Sequence, residues 1–173
     1  RMTQRMGKEE VIAFLHDGGC EFEIVEHEAV FTMEGMEALN LPFGEEVVKN
    51  LFLRDDKKRN YYLVVMPEDK PANLKELRTK LEARPLRFAS EDDLAQYLGL
   101  RGGAVSPFGV LNDEDAAVQV VFDEELRGYR GLGVHPNDNT ATLHVALGDM
   151  VRIVEEHGNA FRFVELSRPE PEE

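Results

Sequence analysis

The chain has 173 residues, of which 42 % are hydrophobic and 31 % charged, and its formal net charge is −14. This composition predicts one soluble globular domain and excludes a disordered chain. A single cysteine excludes an internal disulfide framework and a multi-cysteine zinc site. The acidic charge argues against DNA binding, which needs clustered Lys and Arg. No apolar run reaches the roughly 20 residues of a membrane helix and no signal-peptide pattern opens the chain, so we expect a cytoplasmic protein without membrane contact.

The acidic charge is unevenly distributed along the chain. Residues 49–87 contain eleven Lys and Arg against six Asp and Glu, so this segment is basic while the remainder is strongly acidic. Two interpretations remain open: solvated charged faces of a hairpin and a helix, or a small docking surface for the end of a nucleic acid.

Hydrophobic periodicity and capping residues predict short helices mixed with strands. In the first part of the chain we predict a helix at 8–17, a strand at 22–25, a helix from the cap Thr32 to about Leu39, strands at 46–53 and 60–66 joined by a hairpin turn, and a helix capped by Asn73 that stops before Pro85. In the second part we predict a helix from Ser90 to Gly99, strands at 117–122, 131–135 and 140–145, a helix at 147–156 and a strand at 161–166.

These elements define the fold class as α+β in a single domain. We expect residues 8–166 to form the domain. Residues 1–7 are interpreted as an unstructured or vector-derived N-terminus, because Arg1 precedes Met2, and residues 167–173 as a flexible acidic tail.

A glycine-rich loop at Arg101–Gly109 is the most informative stretch of the sequence. Its glycines allow the backbone to approach a ligand closely and to point N–H groups at a carbonyl oxygen or a phosphate. The part that we expect to contact substrate is Gly103, Ala104, Val105, Ser106 and Pro107. A Gly-x-x-x-Pro pattern alone is more often an ordinary turn, so it needs support from other segments.

Lys49 lies in an otherwise apolar strand, and alternation places it on the same face as Leu51 and Leu53. An inward lysine is costly unless it meets an anion. Either Lys49 lies at the strand end and reaches solvent, or it provides a cation for the terminal phosphate or ribose of a nucleic acid.

His135 stands between a glycine-rich strand and a Pro-Asn-Asp-Asn turn, where it is either an exposed turn histidine or a group that orients water, contacts substrate or shapes a pocket. Asn139 and Thr142 are polar candidates nearby. No Gly-x-Ser-x-Gly motif is present, and Cys20 has no identifiable base. His16, His27, His144 and His157 lack metal-ligand spacing, so we expect neither metal nor cofactor.

The Lys49 strand, the glycine loop and the His135 segment, in this order, resemble the YbaK/ProRS-type aminoacyl-tRNA editing domains from about residue 8 to residue 166. The resemblance implies a mixed, curved sheet surrounded by short helices with a cleft at one side. It also implies an aminoacyl-tRNA deacylase, similar to the free-standing Ala-tRNA(Pro) deacylases, with Lys49, Gly103 and His135 as catalytic residues.

The resemblance adds Thr32, Asn50 and Asp113 to the expected substrate-binding residues. Glu28 stands where relatives often carry proline, which makes the geometry near Thr32 less secure. The implied partner is the 3′ end of tRNA(Pro), with transient contact to prolyl-tRNA synthetase or an elongation factor.

The identity of the amino acid is not decided by the sequence. A proline-activating site rejects alanine poorly, and a second, smaller pocket can remove the error afterwards. Candidate walls of that pocket are Phe31, Met33, Phe52, Leu132 and Val134. The alternatives are a deacylase for cysteine or serine, a catalytically silent tRNA-end or nucleotide-binding module, and an esterase that uses an unidentified serine.

Overall fold

The computed structural model describes residues 5–169. The α-helices are α1 Lys8–Asp17, α2 Met33–Ala38, α3 Leu74–Leu81, α4 Glu91–Leu98 and α5 Leu147–His157. The strands are β1 Phe22–Glu26, β2 Val48–Asp55, β3 Tyr61–Pro67, β4 Leu86–Phe88, β5 Val118–Asp123, β6 Gly131–Val134, β7 Ala141–Ala146 and β8 Phe161–Val164. Short 3₁₀ helices occupy Gly44–Glu46, Pro107–Asn112 and Glu124–Gly128. The α+β prediction is confirmed; β4 and the three 3₁₀ helices were not predicted.

The helix starts follow from their capping side chains. Thr32, Asn73 and Ser90 each accept a hydrogen bond from the backbone N–H three residues further on, which satisfies a donor that has no partner within the helix. Gly99 ends α4 in the left-handed conformation, with φ +64°. These predicted helix starts are therefore confirmed.

The strands form two sheets. A five-stranded mixed sheet has the order β4-β2-β3-β5-β8, in which β2 is antiparallel to β3 and β4 while β5 is parallel to β3 and β8. A three-stranded antiparallel sheet has the order β1-β7-β6. One parallel bridge between Val47 and Gly133 connects them. The mixed sheet agrees with the expectation, although the strands expected in one curved sheet are divided at this bridge.

Alternation along β2 sends its side chains into two separate cores. Val48 and Phe52 belong to the larger core, which also contains buried residues of α1, α4, α5 and the three-stranded sheet. Leu53 belongs to the smaller core, and Leu51 packs against it, together with residues of α3. Strand β2 thus lies between two layers, and its first residues emerge where the two sheets meet.

The ends of the described chain are attached to the domain. Near the N-terminus, Arg5 donates to the carbonyl oxygen of Ala95 at 2.7 Å. Near the C-terminus, Ser167 donates its backbone N–H to Glu76 at 3.0 Å. Residues 1–4 and 170–173, which the expected N-terminus and acidic tail include, lie outside the described residues. Within residues 5–169, no helix combines the length and the apolar character needed to cross a membrane.

Candidate active site

A cleft of about 510 Å³ lies where β2 begins, beside α2 and the glycine loop. Its lining comprises Val30, Phe31, Thr32, Met33, Met36, Val48, Lys49, Asn50, Glu68, Asp69, Pro71, Gly103, Val105 and His135. Segments that are far apart in sequence therefore meet here, including the Lys49 strand, the glycine loop and the His135 turn. The structure brings the three predicted catalytic residues to one cavity.

Lys49 is half-buried at the beginning of β2. Burial lowers the pKa of its ammonium group, while the negative charges of Asp69 and Glu68 act in the opposite direction. Among residues 5–169, no carboxylate oxygen lies within the 4.0 Å of an ion pair with Lys49. The ammonium group thus faces the cleft as a cation without a close anion of its own.

The glycine loop reaches the cleft through Gly103 and Val105. Gly103 has φ +86°, a backbone conformation that favours glycine, and a Cβ at this position would lie 3.0 Å from Cδ1 of Phe31. The neighbouring Ser106 and Pro107 are buried and begin a 3₁₀ helix, in which Ser106 Oγ accepts from the N–H of Phe108 at 3.1 Å. The loop therefore presents backbone at Gly103 and uses its Ser and Pro for support.

Ala104 is also buried and is absent from the lining of the cleft. Its backbone N–H donates to the carbonyl oxygen of Arg101 at 3.1 Å, which closes the turn that contains Gly103. Ala104, Ser106 and Pro107 thus hold the loop from behind, and contact of their backbone with substrate stays a prediction.

His135 has a defined tautomer. Its Nδ1 lies 2.8 Å from the carbonyl oxygen of Ala141, and since a carbonyl oxygen only accepts, Nδ1 carries the hydrogen. The neutral ring then has Nε2 as an acceptor. Burial lowers the pKa of His135, and nearby His27 acts in the same direction. The imidazole is consequently suited to accept a hydrogen bond at neutral pH.

Thr142 and His27 form a second hydrogen-bonded pair beside His135. Nδ1 of His27 donates to the carbonyl oxygen of Glu28 at 2.8 Å, and in the neutral ring Nε2 then accepts from the hydroxyl of Thr142, also at 2.8 Å. The His27 and His135 ring centroids are 6.2 Å apart. Sequence analysis assigned no site role to His27, because only the folded β7 places Thr142 next to it.

A deeper cavity of about 50 Å³ adjoins the cleft. It is lined by Met36, Val47, Val48, Asn50, Glu68, Gly133, Val134, His135 and Thr142. The amide oxygen of Asn50 is buried and has no hydrogen-bond partner among residues 5–169. A buried acceptor without a donor is costly, so this oxygen accepts a hydrogen bond from whatever enters the cavity, water or ligand.

Two further predicted residues have different positions. Asn139 donates to the carbonyl oxygen of Val30 at 3.4 Å, and its Nδ2 lies 3.5 Å from the position of a Cβ at Gly103, so it supports the cleft. Asp113 is buried, accepts from the N–H of Val118 and from Asn159, both at 2.9 Å, and does not line the cleft. The structure thus gives Asp113 a scaffold position where substrate contact was expected.

The proposed pocket walls are also divided. Phe31 and Met33 line the cleft and are 75 % and 49 % exposed, while Val134 lines the deeper cavity. Phe52 and Leu132 are buried in the larger core and line neither cavity. Sequence analysis missed Glu68, which contributes to both cavities, because an acidic residue after a strand resembles a solvated turn.

Comparison with known proteins agrees with this site. Residues 27–153 match the family model of the aminoacyl-tRNA editing domain. The chain is 48 % identical to the prolyl-tRNA editing protein ProX of Acetoanaerobium sticklandii over 92 % of this chain and 97 % of that protein. It is 37 % identical to the prolyl-tRNA synthetase associated domain-containing protein 1 of Danio rerio over 86 % of this chain and 82 % of that protein.

A solved structure of a candidate trans-editing enzyme for prolyl-tRNA synthetase superimposes with a TM-score of 0.70. That likeness covers 95 % of this chain and 100 % of the other at 19 % identity, and it shows the fold. The chain belongs to the aminoacyl-tRNA editing domain family. The family assignment and the enzyme class predicted from the motifs, an aminoacyl-tRNA deacylase, are therefore confirmed.

Proposed function

We propose that the chain edits in trans by hydrolysing Ala-tRNA(Pro) to alanine and free tRNA. The observation that carries this proposal is the deeper cavity of about 50 Å³ beside Gly133 and Val134. This cavity is far smaller than the cleft of about 510 Å³ that it adjoins, so we assign the small side chain of alanine to it and the ester to the cleft. In this proposal a second, smaller pocket discriminates against proline by steric exclusion, which a synthetic site optimised for proline cannot do against alanine.

The proposed reaction needs no protein nucleophile. Water attacks the ester carbonyl carbon, the bond to the ribose oxygen breaks, and the proton from water ends on that oxygen. Backbone N–H groups of the loop at Gly103 stabilise the negative charge that develops on the carbonyl oxygen. Nε2 of neutral His135 accepts a hydrogen bond from the attacking water and orients it.

Lys49 has an electrostatic role in this proposal. Its ammonium group lies at the cleft and pairs with no carboxylate of residues 5–169, and we assign it to the terminal phosphate or ribose of the tRNA. Phe31, at the mouth of the cleft and 75 % exposed, offers a ring on which a base of the single-stranded 3′ end stacks. Thr32 caps α2, and Asn139 donates to the carbonyl oxygen of Val30, so both support the wall of the cleft.

The basic segment supplies the remaining contact. Lys75, Arg78 and Lys80 are exposed on α3, which begins shortly after Pro71 of the cleft lining. In the proposed complex the acceptor stem continues outward from the 3′ end in the cleft. Basic side chains beside the cleft therefore favour the docking interpretation over solvated charged faces. We expect weak tRNA binding that decreases with added salt, and transient contact with prolyl-tRNA synthetase or an elongation factor.

The test measures release of amino acid from Ala-, Ser-, Cys- and Pro-tRNA(Pro) by the wild-type protein. Fast release of alanine alone is the expected result. Preference for cysteine or serine would retain the mechanism and contradict the assignment of the small cavity to alanine. Binding of tRNA without hydrolysis of any of the four would contradict the proposal in favour of a silent binding module.

A further inference from the structure

Glu68 contributes to the lining of more than one cavity. It follows β3, is half-buried and lines the main cleft, the deeper cavity and an adjoining groove that also contains Glu37. No hydrogen bond or ion pair to its carboxylate is formed within residues 5–169. Burial raises the pKa of Glu68, Glu37 and Asp69 act in the same direction, and Lys49 opposes them. A half-buried carboxylate in this state favours a cationic partner.

Acceptors without donors surround the deeper cavity. The carboxylate of Glu68 and the buried amide oxygen of Asn50 both lack partners among the described residues, whereas Nε2 of His135 is assigned to the attacking water. The hydroxyl of Thr142 already donates to His27. A carboxylate and an amide oxygen beside one small space match a positively charged group with several N–H donors, such as a primary ammonium group.

An amino acid esterified to tRNA carries such a group on the carbon that also bears its side chain. A side chain in the deeper cavity therefore brings the α-ammonium group to the same lining. We propose that Glu68 binds the α-ammonium group of the esterified amino acid, with Asn50 as the second acceptor. This inference rests on the proposed function and deepens it, because it makes a free α-amino group a condition for hydrolysis.

A competing role for Glu68 is to position Lys49 through its charge. The two roles differ in their dependence on substrate. A residue that positions Lys49 affects every ester bound in the cleft to the same extent. A residue that binds the α-ammonium group affects only esters that carry one.

The experiment compares Ala-tRNA(Pro) with lactyl-tRNA(Pro), in which a hydroxyl group replaces the ammonium group on the same carbon. For each enzyme, the ratio of kcat/KM for the alanyl ester to kcat/KM for the lactyl ester is measured. We expect Glu68→Gln to lower this ratio about 10- to 100-fold relative to wild type, as expected for loss of a hydrogen bond to a charged group. Glu114→Gln is the control, because Glu114 is exposed and lines none of these cavities, and it should leave the ratio unchanged.

The ratio does not depend on the fraction of folded enzyme, so partial unfolding of Glu68→Gln cannot imitate the expected result. Equal losses for both esters would overturn the proposal and assign Glu68 to positioning Lys49. Full activity of Glu68→Gln towards both esters would overturn it as well. Failure of the proposed function is recognised separately, because the wild-type protein would then release no alanine from Ala-tRNA(Pro), and the inference would fall with it.

Discussion

Two lysines on neighbouring parts of the large sheet have opposite surroundings. Lys70, three residues after the end of β3, is 2 % exposed. It pairs with Asp123 at 2.7 Å and Glu125 at 3.0 Å, and it donates to the carbonyl oxygen of Leu166 at 2.8 Å. All three donors of its ammonium group are thereby occupied, and the contacts connect β3, the end of β5 and the C-terminal segment.

Lys49, which is opposite Met66 of β3, is half-buried and lacks an ion pair among the described residues. The two lysines differ in whether the fold itself supplies their charge partners. A buried charge that has its partners within the fold holds segments together, and a partly buried charge that lacks them leaves its desolvation uncompensated until a ligand binds. Composition and pattern alone treat both residues as lysines near strand ends.

The largest effect is expected from substitution of Lys70, the lysine whose charge partners lie within the fold. Lys70→Met leaves the carboxylate of Asp123 buried without its cation, whereas the partly exposed Glu125 retains Arg168. We expect the free energy of unfolding to fall by about 3–5 kcal/mol, as measured by denaturant titration. The folded fraction should still deacylate, because Lys70 does not line the cleft. Unchanged stability would contradict the scaffold role.

The complementary substitution is Lys49→Met. We expect kcat/KM for deacylation to fall about 10²- to 10³-fold, the loss typical of one electrostatic group that acts on the transition state. The free energy of unfolding should change little, because Lys49 has no ion-pair partner among residues 5–169. Lys57→Met, in the exposed hairpin turn, is the control and should retain activity. A loss of stability without a loss of activity would contradict the assignment of Lys49 to the site.

Much of the fold is predictable because its signals are local. Caps such as Thr32 and Ser90 act within one helical turn, and alternation in β2 and β3 is visible in a few residues. The three residues of β4 are too few to show a period, and they pair only because the hairpin presents a free edge of β2. The division into two sheets depends on the contact of Val47 with Gly133, which no local pattern encodes.

Site residues can be predicted where their residue type is unusual in its sequence context. An inward lysine, a glycine loop and a histidine before proline stood out, and the structure places all three at one cavity. The surroundings of Asp113 could not be predicted, because a carboxylate that holds Val118 and Asn159 has the same residue type as one that binds substrate. Glu68 could not be found, since its importance depends on which distant groups surround it and on the lack of a partner.

A smaller effect is expected from Gly103→Ala, which tests whether the cleft needs backbone at this position. The added Cβ meets Phe31 at 3.0 Å and requires a left-handed residue that costs about 1–2 kcal/mol. Displacement of the N–H groups should lower kcat/KM about tenfold. Gly19→Ala is matched for strain, with φ +70°, but nothing lies within 4 Å of its Cβ, so it should lose similar stability and retain activity.

The smallest effect is a pH dependence that arises from His135. Its neutral form has the acceptor Nε2, and burial lowers its pKa below the ordinary 6.5. Deacylation should therefore persist as the pH falls to 6.5 and decline only as it falls further, through the pKa of the folded protein. His27 and Asp138 are the titratable groups that also influence this ring. The measurement is kcat/KM against pH at constant ionic strength.

His135→Gln keeps an acceptor near Nε2 and removes the titration, so its rate should be flat where the wild-type rate declines. The lowered pKa of His135 also affects the stability of the protein in acid. Below pH 6.5 the unfolded chain takes up the proton first, so the free energy of unfolding should fall with pH in the wild type and less in His135→Gln. A decline in rate with a midpoint above 6.5 would mean that His135 meets an anion in the cleft, which would assign it to substrate charge and not to water.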